Sequence, residues 1–183
     1  SMCMAFWCRV VSVNAVRNAF NVVSGGTSYG TKEKEGAMGR GPGGTPLSWI
    51  SDGLSNTLAV AEDAGRPSLY VNRKPAKNPK SGNVFNTDWT ADGWGWADIN
   101  GGFSLDGSGP TGINNNTSGS GATTIVGSCL INCSNDSELY SFHVGGVPAL
   151  MCDGAVRFLS ENTSGQVLTA LGTRQGDEIV GEF

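Results

Sequence analysis

Glycine occurs so often along this chain that the fold must be built from short elements joined by turns. Twenty-eight of the 183 residues are glycine, and Asn, Ser and Thr are frequent beside them. Charged residues make up only 15% of the sequence. Such a composition favours many short strands over long helices. We therefore predict an α+β domain that is mainly antiparallel β.

The charge pattern argues against a nucleic-acid partner. The formal net charge is −4, and no Lys/Arg cluster is denser than the one between Arg73 and Lys80. A protein that binds nucleic acid needs a basic face to displace counterions from the phosphates. We therefore expect no nucleic-acid partner for this chain.

The N-terminal apolar residues are too few to predict a membrane span. A span needs about 18 consecutive apolar residues, whereas Arg9 interrupts the apolar residues between Met2 and Val13. Their order is not that of a signal peptide, so no export signal or anchor is visible. For this fragment we therefore expect no membrane contact.

The length suits one domain, and we divide the chain accordingly. Residues 1–24 form a divergent or truncated N-terminal segment, and residues 25–183 form a single globular domain. Within it, Leu58–Glu62 has the pattern of a short buried strand. The polar stretch 63–83, with its three prolines, predicts a mobile surface loop, and residues 107–128 predict a second exposed loop.

The C-terminal part predicts a β-meander followed by a short helix. Gly145-Gly146 indicates one turn, and Asp153-Gly154 suits a type I′ turn, in which both central residues have φ > 0. A capping box at Thr163–Gln166 begins a helix that ends at Gly172. The predicted strands are Glu138–Val144, Val147–Cys152, Ala155–Ser160 and, after the helix, Glu178–Phe183.

The five cysteines leave three alternatives open. Cys129 and Cys133 are separated by three residues in a loop rich in Gly, Ser and Asn. They are candidates for a local disulfide in an exported protein, or they remain two free thiols. A four-cysteine zinc site would need Cys3 and Cys8 to meet this pair.

Two motifs in the chain resemble those of a known family. His143 is followed after nine residues by Asp153-Gly154, and Asp52-Gly53-Leu-Ser-Asn-Thr57 lies upstream. In combination these motifs resemble the His-x9-Asp-Gly proteins of planctomycete-type bacteria, a prepilin-like family known as domain of unknown function 1559.

The resemblance implies a function as well as a fold. The implied protein is the soluble head of a pilin-like or pseudopilin-like surface or secretion-associated protein, with a C-terminal meander and a short helix. Its work is then structural or interactive, and its partners are other pilin-like subunits or cell-surface components. The implied location is extracytoplasmic or at the cell surface.

A small metal-dependent hydrolase is the alternative, because imidazole and carboxylate groups suit zinc and similar ions. Such an activity could be promiscuous toward activated phosphate or carboxylic esters. The candidate catalytic residues are His143, Glu62, Asp52 and Asp153, and the candidate metal ligands are His143, Asp153 and Cys152.

Strand geometry weighs against this alternative. In a tight hairpin at Gly145-Gly146, His143 pairs near Pro148. Asp153 then lies five residues further along that strand, roughly 16 Å away at about 3.3 Å per residue. The structural interpretation makes Asp153-Gly154 a hairpin turn and Asp52 part of a turn that satisfies backbone amides. It makes His143 a half-buried side chain that donates to a backbone carbonyl.

The segment 85–128 offers two further interpretations. Its acidic and amide side chains supply the hard oxygen ligands that Ca²⁺ prefers. Its three tryptophans, Trp89, Trp94 and Trp96, either anchor the sheet or form a glycan-binding face. The candidate calcium ligands are Asp88, Asp92, Asp98, Asn100 and Asp106.

Overall fold

The structure is a computed structural model that describes residues 36–38, 45–76, 105, 107–108, 129–136, 138–178, 180 and 183. Their regular elements are β1 (Leu58–Ala61), β2 (Tyr70–Val71), β3 (Lys74–Pro75), β4 (Gly146–Met151), β5 (Val156–Ser160) and α1 (Gly165–Gly172), with 3-10 turns at Leu47–Trp49 and Leu54–Asn56. The predicted α+β, mainly antiparallel fold is confirmed. None of the helices in these residues is long and apolar enough to span a membrane.

The central sheet has the strand order β1-β4-β5, and both pairings are antiparallel. Alternation along β4 sends Val147, Ala149 and Met151 into the core and places Pro148 and Leu150 on the outer face. A register shift between Leu58 and Val60 lets both Leu58 and Ala61 face the core. The inner face of the sheet is therefore continuously apolar.

Helix α1 covers that inner face. Leu168 and Leu171 are fully buried and belong to the same core cluster as Leu58 and Leu159. The N-cap is Ser164, whose Oγ accepts a hydrogen bond from the Val167 amide at 3.3 Å, one residue later than the capping box predicted. Of the predicted final strand Glu178–Phe183, the described residues 178, 180 and 183 are not in a strand.

The predicted strand Glu138–Val144 is wrong, and β1 takes its place beside β4. Leu139 and Tyr140 form only isolated bridges. Beyond them, the Ser141 amide donates to Asn132 Oδ1 at 2.7 Å, and the His143 amide donates to Ser141 Oγ at 3.0 Å. Because side chains satisfy these amides, a strand ladder cannot continue through them.

The β4–β5 turn also differs from the prediction. Of its residues, Gly154 alone has a positive φ, at 89°, whereas a type I′ turn needs two such residues. The Gly154 amide donates to Met151 O at 3.0 Å, and the Met151 amide donates to Ala155 O at 2.8 Å. These bonds define a three-residue loop with glycine in the left-handed position. Asp153 Oδ1 accepts from the Ala155 amide at 2.9 Å and so shapes the turn.

The predicted mobile surface loop 63–83 is wrong for its described part, residues 63–76. Asp63, Arg66 and Leu69 are buried, and β2 and β3 form a small hairpin. The buried Asn135 fixes this segment: its Nδ2 donates to Ala64 O at 3.0 Å and to Ser68 O at 2.8 Å. Its Oδ1 accepts from the Tyr70 amide at 2.8 Å. Residues 77–83, like residues 1–24 and 109–128, lie outside the described residues.

Candidate functional site

Residues 141–145, which we call the signature loop, connect Tyr140 to β4 and contain the only histidine of the chain. Three successive side chains of this loop are exposed: Phe142, His143 and Val144. Phe142 is 45% exposed and Val144 is 88% exposed, so two of the three present apolar surface to solvent. The loop therefore presents two apolar side chains and an imidazole to solvent at this end of the sheet.

Buried and half-buried polar side chains fix the backbone of the signature loop. The His143 carbonyl accepts hydrogen bonds from Arg73 Nη2 at 3.0 Å and from Asn132 Nδ2 at 3.4 Å. Asn132 Nδ2 also donates to Gly146 O at 3.1 Å and to Glu161 Oε1 at 2.8 Å. The Glu161 amide donates to Gly145 O at 2.8 Å, so both ends of the loop are anchored.

Asn132 is the centre of this network. It is buried and has a φ of 64°, a left-handed conformation that asparagine tolerates better than most residues. The disulfide between Cys129 and Cys133, whose Cα atoms are 6.1 Å apart, encloses this residue. The cross-link limits the conformations open to the segment and holds Asn132 against the signature loop.

Glu161 completes the network as a carboxylate. The hydrogen bond from Asn132, together with the ion pair with Arg73, holds the pKa of Glu161 below its usual range, although partial desolvation opposes them. The negative charge therefore remains in place at neutral pH, where the guanidinium of Arg73 and the Asn132 amide both bind it.

Aromatic packing fixes the position of Phe142. Its ring makes edge-on contacts with Tyr70, at a centroid distance of 5.0 Å, and with Tyr140, at 5.6 Å. Such contacts contribute roughly 0.5–1.5 kcal/mol beyond the burial of apolar area. These two contacts fix the ring of Phe142, although the side chain remains exposed to solvent.

His143 differs from the half-buried histidine that we predicted. Its side chain is exposed, and its imidazole has no hydrogen-bond partner among the residues that the structure describes. Its backbone is hydrogen-bonded instead: the His143 amide donates to Ser141 Oγ, and the His143 carbonyl accepts from Arg73 and Asn132. The imidazole is therefore available for contact with another molecule.

The other candidate residues lie elsewhere. Cys152 and Asp153 follow β4 at the end opposite to His143, and the Cys152 amide donates to Thr57 O at 2.9 Å. Burial raises the pKa of the Cys152 thiol, and the neighbouring Asp153 raises it further. Asp52 lies at the same end as these two, and its carboxylate accepts from the amides of Gly176, at 2.7 Å, and Asp177, at 3.1 Å.

The described residues therefore do not bring His143, Cys152 and Asp153 together. Glu62 is buried at the end of β1, where its carbonyl accepts from the Tyr140 amide at 3.0 Å. In the described part of the chain, no group of three or more His, Cys, Asp or Glu side chains could hold a metal ion. The candidate calcium ligands and the three tryptophans lie outside that part.

A buried charge cluster beside the signature loop escaped the sequence analysis. Asp63 Oδ2 lies 2.6 Å from Arg66 Nε, and both side chains are buried. Burial raises the pKa of Asp63 to about 7; Arg66 opposes this shift, and the carboxylates of Asp136 and Glu62 add to it. The sequence signal was the acid-to-base spacing of three residues from Asp63 to Arg66, inside a stretch that we predicted to be loop.

Asp63 is expected to make the stability of the domain fall as the pH rises from about 4 to about 7. Over that range the unfolded chain releases the Asp63 proton, whereas the folded protein still holds it. The contribution is fully present below the unfolded pKa of 3.8 and is lost through the folded pKa of about 7. Its size is of the order of 4 kcal/mol, since one unit of pKa corresponds to about 1.4 kcal/mol.

Urea denaturation of wild type and Asp63→Asn between pH 4 and pH 8 tests this expectation. Above a pH of about 7, where folded Asp63 is charged, Asp63→Asn leaves the Arg66 charge less well compensated, so the informative quantity is the slope of the unfolding free energy against pH between 4 and 7. The slope should flatten in this variant. Asp177→Asn, at an exposed position with a φ of 56° that asparagine tolerates, should keep the wild-type slope. Equal slopes for all three proteins would contradict the assignment.

Comparison with protein families gives a match over most of the chain. The model of a family described as a protein of unknown function (DUF1559) matches residues 12–166. The match begins inside the segment 1–24 and includes both the Asp52-Gly53 motif and the His143 to Gly154 motif. No curated protein and no solved structure matches the chain.

Proposed function

The chain belongs to the DUF1559 family, and on that premise we propose that it is the globular head of a pilin-like surface or secretion-associated protein. Its role is structural or interactive, and the signature loop is its contact surface. The proposed partners are other pilin-like subunits or cell-surface components outside the cytoplasm.

The observation that carries this proposal is the exposure of Phe142, His143 and Val144 on a fixed backbone. An apolar side chain that is 88% exposed, as Val144 is, contributes little to folding. A loop held by Asn132 and Arg73 loses little conformational entropy when a partner binds, so its contacts convert more fully into affinity. Fixed apolar side chains beside an open imidazole are suited to recognition.

The placement of the other candidate residues supports an interactive role over hydrolysis. General-base or metal-assisted hydrolysis needs several groups within hydrogen-bond or coordination distance of one reacting atom. The described residues place His143 at one end of β4 and Cys152 and Asp153 at the other. Calcium binding and glycan binding remain predictions that depend on residues 85–128.

Replacing Val144 by glutamate is expected to weaken binding of the chain to cell envelopes isolated from its source organism at least about tenfold, because a buried unpaired charge opposes association. The unfolding free energy should change by less than about 0.5 kcal/mol, since the side chain is exposed. Leu47→Glu introduces the same charge at another exposed apolar position and should bind like wild type. Sedimentation of labelled protein with envelopes measures both variants.

Two results would contradict the proposed function. Equal binding of wild type, Val144→Glu and Leu47→Glu would remove the signature loop from the contact surface. Ester or phosphate-ester turnover that disappears both with a chelator and in His143→Ala would replace the interactive role with the hydrolase alternative. His143→Ala should otherwise fold with unchanged stability, because no described contact depends on its imidazole.

A further inference from the structure

Strand β5 has an open edge within the described part of the chain. It is the last strand in the order β1-β4-β5. The bonds from the Glu161 amide to Gly145 O and from the Met151 amide to Ala155 O fix which residues face β4. Together with the register of the pair, these bonds show that the backbone amides and carbonyls of the odd-numbered residues from 155 to 161 point toward β4. The amides and carbonyls of Val156, Phe158 and Ser160 therefore point to the open edge.

The same residues present apolar side chains to solvent. Val156 is 71% exposed and Phe158 is 53% exposed, and each lies opposite an outer-face residue of β4, Leu150 and Pro148 respectively. Natural sheets usually protect an edge with lysine, proline or a bulge. Strand β5 has no lysine or proline, and the guanidinium of Arg157, which alternation places on the other face, lies 4.9 Å from the centroid of the Phe183 ring.

The pattern of donors and acceptors along this edge is self-complementary. In an antiparallel pair centred on Phe158, that residue lies opposite its own copy, and Val156 lies opposite Ser160. The two Phe158 residues then exchange both of their backbone hydrogen bonds, and each Ser160 amide donates to the Val156 carbonyl of the other copy. The Ser160 carbonyl already accepts from the Thr163 amide at 2.9 Å, so the Val156 amide that lies opposite it gains no bond in this pairing.

From these features we propose that the open edge of β5 pairs with β5 of a second copy of this chain about a two-fold axis at Phe158. The pairing joins two three-stranded sheets into one of six strands and makes the two outer apolar faces continuous. A two-fold contact of this kind is isologous, so it closes after two copies and does not propagate.

The expected affinity is modest. Two five-residue strands bury less surface than the roughly 1,600 Å² of a standard stable interface, which corresponds to dissociation constants in the micromolar range or weaker. If the proposed function holds, heads anchored on a surface have a local concentration of the order of millimolar, which is enough to populate the pair. The pairing itself does not depend on the signature loop.

Analytical ultracentrifugation between about 10 µM and 1 mM tests the pairing, since that range spans the expected dissociation constant. Wild type should show a monomer–dimer equilibrium. Phe158→Lys places two like charges at the two-fold axis and should raise the dissociation constant at least about tenfold. Val156→Lys serves the same purpose if the Phe158 variant does not fold. Leu150→Lys, on the outer face but not at the edge, should change it less than about threefold.

Hydrogen exchange at the same concentrations locates the contact. The amides of Phe158 and Ser160 should become protected as the concentration rises, whereas the Val156 amide should not.

A monomer at 1 mM would overturn the proposal. Edge amides that are protected equally at all concentrations would also overturn it, because another part of the same chain would then cover β5. A dimer that Leu150→Lys disrupts as strongly as Phe158→Lys would indicate stacking of the sheet faces instead. Val144→Glu should dimerise normally, so failure here is distinguishable from failure of the proposed function.

Discussion

Gly146→Ala is expected to prevent stable folding, with a loss of more than about 4 kcal/mol of unfolding free energy. A Cβ atom at this position would lie 2.0 Å from the Leu159 carbonyl oxygen and 2.8 Å from Phe158 Cε1. The first of these atoms belongs to the backbone of the paired strand and cannot move without breaking the β4–β5 ladder. Since small domains have only about 5–15 kcal/mol of stability in total, little folded protein should remain.

Gly154→Ala is the matched control. Gly154 has a φ of 89°, but a Cβ there would have no atom within 4 Å, so the substitution introduces backbone strain without a clash. We expect a loss of roughly 1–2 kcal/mol, visible as a lower urea midpoint with an unchanged slope. If Gly146→Ala were no more destabilising than Gly154→Ala, the close approach of β4 and β5 would be wrong.

Asn132→Ala is expected to cost about 3–5 kcal/mol of unfolding free energy and to loosen the signature loop. The buried side chain donates to His143 O, Gly146 O and Glu161, and it accepts from the Ser141 amide. Its removal leaves the Gly146 carbonyl and the Ser141 amide without this partner at buried positions. Urea denaturation measures the loss, and hydrogen exchange at residues 141–145 should rise even where the protein remains folded.

The left-handed conformation of Asn132 contributes separately to that loss and needs its own control. Asn72 also has a positive φ, 49°, but it is exposed, and no side-chain hydrogen bond of it is present among the described residues. Asn72→Ala should therefore report the conformational cost alone, about 1 kcal/mol. A similar loss for both variants would mean that the hydrogen bonds of Asn132 do not stabilise the loop.

The two ends of the His-x9-Asp-Gly motif have different physical roles. Gly146 permits the close approach of β4 and β5, and Asp153 and Gly154 shape the turn between them. These residues are explained by folding alone. The described contacts give the imidazole of His143 no role in folding. Of the three residues His143, Asp153 and Gly154, His143 is therefore the candidate for a functional role. This contrast directs the search for a partner to the signature loop.

Local sequence determined the elements whose signals are short-range. The apolar stretch at Leu58–Ala61, the β4–β5 hairpin and the helix after Ser164 all follow from alternation, turn residues and capping within a few positions. The same patterns predicted a mainly antiparallel α+β fold. The turn type was predicted wrongly because Asp153 bonds its own backbone two residues on, and this competes with the left-handed conformation that a type I′ turn requires.

Tertiary structure decided the features that depend on distant residues. Asn135 binds Ala64, Ser68 and Tyr70, which lie 65–71 residues away along the chain. Asn132 bonds the Ser141 amide, where a strand at 138–144 would need a ladder bond. The same long-range contacts bury Asp63 and Arg66 in a stretch whose prolines predicted an exposed loop. They also turn the His143 side chain outward. Periodicity records which face of an element is apolar, but not which polar side chain from elsewhere will satisfy its backbone.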